Sequence, residues 1–233
     1  MSSQIFPSRS KVLVFGLGLQ GGGEGDVRYL LRHGYDVRVT DKKSRDELSR
    51  PLSRLPSTLV GTFGEHKLED IEWADYILVN PGVNLKIPEL NRAKELGKRI
   101  VSRTALFVSS VTIPVIGITG TRGKSTTTEL IYRLLNEIYP GQILRGGNIP
   151  GTSDLELLDQ IDHKKYAVLE LSSFQLEYFH ASKISPQYAI ITNLYPDHLN
   201  RYQDMAEYAS AKAAICEYQN PTDLIFVNGD NGS

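Results

Sequence analysis

A chain of 233 residues, 40% hydrophobic and 23% charged, can bury a core as one large domain or two modest ones. With 26 Lys plus Arg against 27 Asp plus Glu, the formal net charge of −1 excludes a broad basic face for nucleic acid or an anionic membrane, so any phosphate site must be local. No apolar run is long enough to span a bilayer, the start shows no leader with a cleavage site, and Cys216, the single cysteine, can make no internal disulfide; a reducing, cytoplasmic setting is expected.

Two α/β blocks are predicted, each opening with an apolar strand that runs into a glycine-rich turn. In the first, residues 12–15 (VLVF) have the β-branched and aromatic character of a buried parallel strand. Glycines at 16, 18, 21, 22, 23 and 25 form the turn. A helix then runs to about His33, with Gly34 as its stop. YDVRVTD is a strand ending at Asp41, ADYILVNPGV a strand with a loop, ELNRAKELG a helix closed by Gly97, and KRIVSR a short last strand. The second block has a strand at 115–119, a helix over 125–139, strands at YAVLEL and QYAIITNL, a helix over 205–218 and a strand at DLIFVN. The alternation predicts α/β architecture: a Rossmann-like parallel-sheet domain over residues 1–111, then a P-loop α/β domain over 112–233. The chain stops just after a strand, at NGDNGS, so the second domain is expected to be cut off.

GLGLQG, residues 16–21, spells Gly-x-Gly-x-x-Gly between a strand and a helix, and Asp41 closes the next strand where a ribose-binding acid sits. By itself this suggests a dinucleotide site, with a ligand-free tight turn as the plain alternative. Gly22, Gly23 and Gly25 exceed the motif and are expected to loosen the loop. GTRGKST, residues 120–126, follows the strand of the second block. It ends in Gly-Lys-Ser, but Ile118 stands where a full-length phosphate loop has its first glycine. Gly120 and Gly123 let backbone amides converge on phosphate oxygens, Lys124 supplies a point charge and Ser125 a hydroxyl for Mg²⁺.

LELSSFQLE, residues 169–177, places Glu170 at the carboxyl end of a strand, where open α/β sheets hold ligands. Alone it is an ordinary surface acid; beside a Lys-Ser loop it becomes a candidate metal ligand. Ser172, Ser173 and Gln175 form a polar cluster suited to a polar substrate, and Phe174 reads as core. His198, in NLYPDHLNRY, shares that sheet edge. Lys212 reads on sequence alone as a solvated helix lysine.

Taken together, GLGLQG, NPGV, GITGTRGKST, GGNIP, LELSSFQLE and NLYPDHLNRY resemble, in order and across nearly the whole chain, the ATP-dependent Mur ligases of cell-wall peptide assembly, and the Ser-Ser-Phe-Gln-Leu run is similar to their D-glutamate-adding branch. The resemblance implies a first domain that binds the UDP part of UDP-N-acetylmuramoyl-L-alanine through Leu19, Gln20, Asp41, Lys42, Asn80 and Gly82. It implies ATP on Gly120, Thr121, Arg122, Gly123, Lys124, Ser125 and Thr126, and two Mg²⁺ ions, one held by Ser125 and Glu170 and the other by His198. Asn148, Ser172 and Gln175 would touch the muramoyl-alanine part. Lys124, His198 and Lys212 would be catalytic, with Lys212 carbamylated, which reverses its reading as a solvated side chain. D-glutamate as the incoming amine, a monomer, no nucleic acid and no membrane complete the set. The family is about twice as long, so a third domain is expected to be absent and the piece inactive alone. Arg103, Ala105, Arg122 and Pro150 depart from the family's usual residues. A ligase for another wall peptide such as pseudomurein, a folate-glutamating relative, a non-catalytic UDP-sugar and nucleotide module, and an oxidoreductase built on GLGLQG are the rival readings.

Overall fold

The computed structural model describes residues 4–230; residues 1–3 and 231–233, at the leaderless start and the cut-off end read from the sequence, lie outside the described residues. The chain forms two compact units, one made of the chain up to Leu106 together with Pro150–Glu156, the other of Phe107–Ile149 and the chain from Leu157 on.

The first unit alternates strands and helices in chain order: β1 (Lys11–Phe15), α1 (Gly22–Arg32), β2 (Asp36–Asp41), α2 (Ser49–Leu52), β3 (Val60–Phe63), α3 (Leu68–Trp73), β4 (Tyr76–Val79), α4 (Pro88–Glu95) and β5 (Arg99–Val101), with α5 (Arg103–Ser110) after them. The sheet is wholly parallel, in the order β3-β2-β1-β4-β5. β1 and β4 are buried along their apolar runs, as central parallel strands covered on both faces must be. Sequence reading missed β3, because Gly61 interrupts its apolar run; that glycine is needed where the Phe63 ring folds back over it, 2.6 Å from where a Cβ would stand.

Gly22, Gly23 and Gly25 do not loosen a loop. They form the first turn of α1, and the left-handed Gly21 (φ +85°) caps it. A Cβ on Gly22 would meet the Arg103 guanidinium at 2.7 Å, and one on Gly25 would meet Ser153 Cβ at 2.6 Å. The glycines thus open the face of α1 to the Pro150–Glu156 segment and to the start of α5. Asp26, fully buried on that face, accepts from Arg103 Nη1 at 2.5 Å and from Ser153 Oγ at 2.6 Å. Burial pushes its carboxyl up, against the Arg103 guanidinium, which pulls it down. Arg103 is therefore the partner of a buried acid. Thr104 donates to Asp154 in the same cluster at 2.5 Å.

The second unit follows with β6 (Val115–Thr119), α6 (Lys124–Ile138), β7 (Ile143–Gly147), α7 (Asp154–Leu158, begun in the Pro150–Glu156 segment), β8 (Tyr166–Glu170), α8 (Ser173–Ser182), β9 (Tyr188–Ile191), α9 (Met205–Ala213) and β10 (Leu224–Val227). Its sheet is also parallel, in the order β10-β9-β6-β8-β7. Ile118, Ile143 and Val168 form a buried core cluster beneath Ile131, Tyr132 and Leu135 of α6. α9 is shorter than the predicted 205–218 helix. The Ser185 hydroxyl donates to Ala214 O at 2.7 Å and accepts from Tyr218 N at 3.0 Å, engaging two backbone groups that a longer helix would use. β10 is an edge strand whose four apolar side chains are all exposed. No helix among the described residues is long and apolar enough to cross a membrane.

Candidate functional sites

In the second unit the chain reverses direction across the sheet at β6, which lies between β8 and β9; open α/β sheets bind ligands at such a switch point, beyond the carboxyl ends of the strands. Ile118 is not a failed loop glycine. It lies inside β6, fully buried and in register with Glu170, and the loop proper begins at Gly120. Gly120 (φ +149°) lies so close to Thr192 Oγ1 that no Cβ fits. The segment after β9 straps the loop down: Thr121 N donates to Asn193 O at 3.0 Å, Arg122 N to Asn193 Oδ1 at 2.9 Å, and Thr192 Oγ1 to Arg122 O at 2.6 Å. Gly123 (φ +82°) then starts α6, so the first N–H groups of a 15-residue helix open onto the loop. Lys124 Nζ curls over the loop onto Gly120 O and Thr121 O, both at 3.0 Å. Ser125 and Thr126 are exposed on the first turn.

Glu170 ends β8 and is buried, with one carboxylate oxygen accepting from Asn148 Nδ2 at 3.0 Å. Asn148 leaves the neighbouring β7, and its backbone N–H bonds Glu170 O at 2.8 Å. Ser172 and Gln175 form a reciprocal capping box at the start of α8; Gln175 is buried, and each side chain bonds the other's backbone N–H. The polar cluster read from the sequence is thus first of all a helix start.

His198 is exposed, with a left-handed backbone (φ +53°) and its ring 4.9 Å from that of Phe174. Phe174 is only partly buried; Arg201 lies 4.0 Å over its ring and donates to Glu177 at 2.8 Å. Lys212 is not solvated. It is 3% exposed, and its Nζ donates to Gly120 O at 2.9 Å and Thr119 Oγ1 at 3.3 Å, from beneath the loop. Burial, helped by the charge of Lys124 and opposed by Asp197, brings its pKa down to about 7. Tyr208, one turn earlier, sits under the Lys212 ammonium and reaches Thr121 Oγ1 at 3.2 Å. Thr192, Asn193, Tyr195 and Tyr208 were missed as loop supports, although 192, 193 and 195 lie in or beside the quoted NLYPDHLNRY stretch. Among the described residues, no three His, Cys, Asp or Glu side chains gather into a metal site by themselves.

In the first unit the loops after β1, β2, β3 and β4 enclose a cavity of about 450 Å³, lined by Gly16, Gly18, Asp41, Lys42, His66 and Asn80 among others. Asp41 is already engaged: its two oxygens accept from Gly18 N at 2.9 Å and Lys43 N at 2.8 Å, tying the glycine turn to the loop after β2. Leu19 and Gln20 face elsewhere, into a second cavity of about 640 Å³ beside Glu24, Arg50 and Arg54. The structure therefore gathers Asp41, Lys42, Asn80 and Gly82 around one cavity and Leu19 with Gln20 around another, while Asn148, Ser172 and Gln175 belong to the second unit.

Residues 10–102 match the Mur ligase MurD-like N-terminal domain, and residues 118–233 the Mur ligase middle domain. Among curated proteins, the chain is 38% identical over 222 residues to the UDP-N-acetylmuramoylalanine--D-glutamate ligase of Roseiflexus sp., covering 95% of this chain and 47% of that protein. It is 37% identical over 223 residues to the ligase of the same name from Clostridium kluyveri, again covering 95% and 47%. The chain spans about half the length of the curated relatives it matches. Among solved structures, the UDP-N-acetylmuramate:L-alanyl-gamma-D-glutamyl-meso-diaminopimelate ligase from Neisseria meningitides shares the fold with a TM-score of 0.61 at 15% identity, covering 97% of this chain and 73% of that one. A murein peptide ligase from Psychrobacter arcticus gives 0.53 at 18%, covering 95% and 49%.

Proposed function

We propose, from the premise that this chain belongs to the Mur ligase family, that it carries the UDP-substrate and ATP units of a cytoplasmic, monomeric ligase that joins D-glutamate to UDP-N-acetylmuramoyl-L-alanine. The observation that carries the reading is the short loop from Gly120 to Ser125, flanked by buried Glu170 on the next strand and underlain by buried Lys212. The reaction has two steps. A carboxylate oxygen of the muramoyl-alanine attacks the γ-phosphorus of ATP; the new O–P bond forms as the bond to ADP breaks, giving an acyl phosphate. The amine of D-glutamate then attacks the acyl carbon, an amide forms as the nitrogen gives up one proton, and phosphate leaves with the electrons of the C–O bond and takes up that proton. In the first step two anions must meet, so the chain's task is positioning and charge neutralisation.

Lys124 swings from the loop carbonyls to the β- and γ-phosphates, and the N–H groups of Gly123 to Thr126, at the start of α6, cradle them. The exposed Ser125 hydroxyl and the Glu170 carboxylate are oxygen donors of the kind Mg²⁺ takes, and Asn148 holds one Glu170 oxygen so that the other is presented. His198 is assigned to a second ion. Bound Mg²⁺ would neutralise phosphate charge. Lys212, with its pKa of about 7, offers a neutral amine that can attack CO₂: an N–C bond forms as a C–O π bond opens, one proton leaves, and the neutral amine becomes an anionic carbamate. Asp41, Lys42, Asn80 and Gly82 form the uridine end of the UDP site, and Leu19 and Gln20 its diphosphate side.

The test is calorimetry with Mg²⁺-ATP and with UDP-N-acetylmuramoyl-L-alanine. Both are expected to bind, and Lys124→Ala is expected to weaken ATP at least tenfold while leaving the UDP substrate unchanged. Equal ATP affinity in the variant would remove the loop assignment. The share of the relatives that the chain spans favours a second reading, in which these 233 residues bind both ligands without turnover; binding with no ADP release would select it.

A further inference from the structure

Among the side chains of the first unit's smaller cavity that neither the motif reading nor the UDP-site assignment uses is His66. It follows β3, and its ring stacks on the buried Phe15 ring at 3.9 Å between centroids. Its Nδ1 lies 2.8 Å from Thr40 Oγ1, and that hydroxyl also lies 3.2 Å from the carbonyl oxygen of Glu65. A hydroxyl has one proton, and a carbonyl can only accept. Both contacts are satisfied together when Thr40 donates to Glu65 O and accepts from Nδ1–H of His66. The proton is then on Nδ1, and Nε2 carries a lone pair. Nε2 has no hydrogen-bond partner among the described residues, and His66 lines the cavity. Burial, with the charge of Lys42, lowers the imidazole pKa; Glu89 and Asp41 pull the other way and are outweighed. The ring is therefore neutral at neutral pH, and the acceptor persists.

The opposite chemistry lines the same cavity. Asn80 Oδ1 accepts from Gly82 N at 3.1 Å, which orients the amide so that Nδ2 is left as a donor facing Gly18. Lys42 supplies a further donor. An acceptor accompanied by donors is the complement of an imide edge, which presents carbonyl, N–H, carbonyl. A cytosine edge presents an unprotonated ring nitrogen there and an amino group beside it, so it would set one lone pair against another.

We propose that His66 is the specificity-determining residue of this cavity, its Nε2 accepting the imide N–H of a uracil base and rejecting cytosine. The inference rests on the UDP-site reading above and adds the atom that reads the base. Losing that bond and leaving two acceptors opposed corresponds to a discrimination of roughly 10-fold to 100-fold.

The experiment is calorimetry of the 233-residue chain at pH 7.5 with UDP, CDP and N3-methyl-UDP. UDP is expected to bind at least tenfold more tightly than either analogue. In His66→Phe, which keeps the stack on Phe15 and leaves Thr40 bonded to Glu65 O, UDP should weaken to the level of CDP. Equal binding of UDP and N3-methyl-UDP to the unaltered chain would overturn the role of His66 while leaving the UDP site intact, and needs no variant to fold. No binding of any uridine nucleotide would overturn both the site and its specificity residue.

Discussion

Lys212 makes a quantitative demand on stability. Its folded pKa of about 7 lies below the ordinary lysine value of 10.5 because the amine is buried beneath the loop, near Lys124. Below pH 7 the ammonium is present in both folded and unfolded chains, and the folded state bears the full cost of burying it. As pH rises from about 7 towards 10.5 the folded amine is neutral while the unfolded one still holds its proton, so stability must rise with pH. One proton corresponds to about 1.4 kcal/mol per pH unit, or roughly 2–3 kcal/mol between pH 8 and pH 10. Lys212→Met fills the same space over Tyr208 and removes the titration. Urea unfolding of both proteins at pH 8 and pH 10, in CO₂-free and metal-free buffer, isolates the effect by difference. Cys216 and Tyr208, whose groups burial pushes up, work in the opposite direction and largely cancel between the two proteins. Trp73, the single tryptophan, lies in the first unit, so circular dichroism must follow the second. The unaltered chain should gain those 2–3 kcal/mol relative to the variant. Parallel pH profiles would refute the buried neutral amine, and with it the physical basis for carbamylation.

Two other substitutions probe the packing. Gly25→Ala should gain about 1 kcal/mol of intrinsic helix propensity, but its Cβ would stand 2.5 Å from Glu156 Oε2 and 2.6 Å from Ser153 Cβ. Displacing that segment breaks the Ser153–Asp26 bond, so Trp73 fluorescence in urea should report a net loss of roughly 2 kcal/mol; a net gain would mean the segment does not press on α1. Thr128→Val should stabilise the second unit by about 1 kcal/mol, because the Thr128 hydroxyl is buried on α6 without a partner among the described residues; destabilisation in circular dichroism melts would show that the hydroxyl is satisfied.

The strand-to-glycine-to-helix transitions were legible because their signals are local: apolar β-branched runs, glycines with positive φ, and Gly34 and Gly97 as helix stops. β3 and β7 were not legible, because Gly61, Gly146 and Gly147 break their patterns for reasons that only packing supplies. At Gly147, for instance, the Glu170 carbonyl occupies the space of a Cβ. The Ser-x-x-Gln spacing at 172–175 is a capping signature, yet the polar residue types pointed to substrate first. The burial of Lys212 could not be read from its own helix, since the groups that enclose it, the carbonyl of Gly120 and the hydroxyl of Thr119, lie about ninety positions away. His66 offered no sequence signal at all; its tautomer is set by Thr40, 26 positions earlier.

The glycines of α1 also set a timetable. Three of its first four residues are glycine, and each lowers intrinsic helicity by about 1 kcal/mol relative to alanine, so this turn cannot nucleate locally. Its anchors, Ser153 on Asp26 and Glu156 on Arg28, are encoded 127 and 128 positions downstream. During synthesis the strands of the first sheet can pair as they emerge, but the packing on the opening turn of α1, which Arg103 begins at Asp26, is not complete until residue 156 has left the ribosome. The glycine-rich turn, among the first features translated, is among the last in its unit to become ordered.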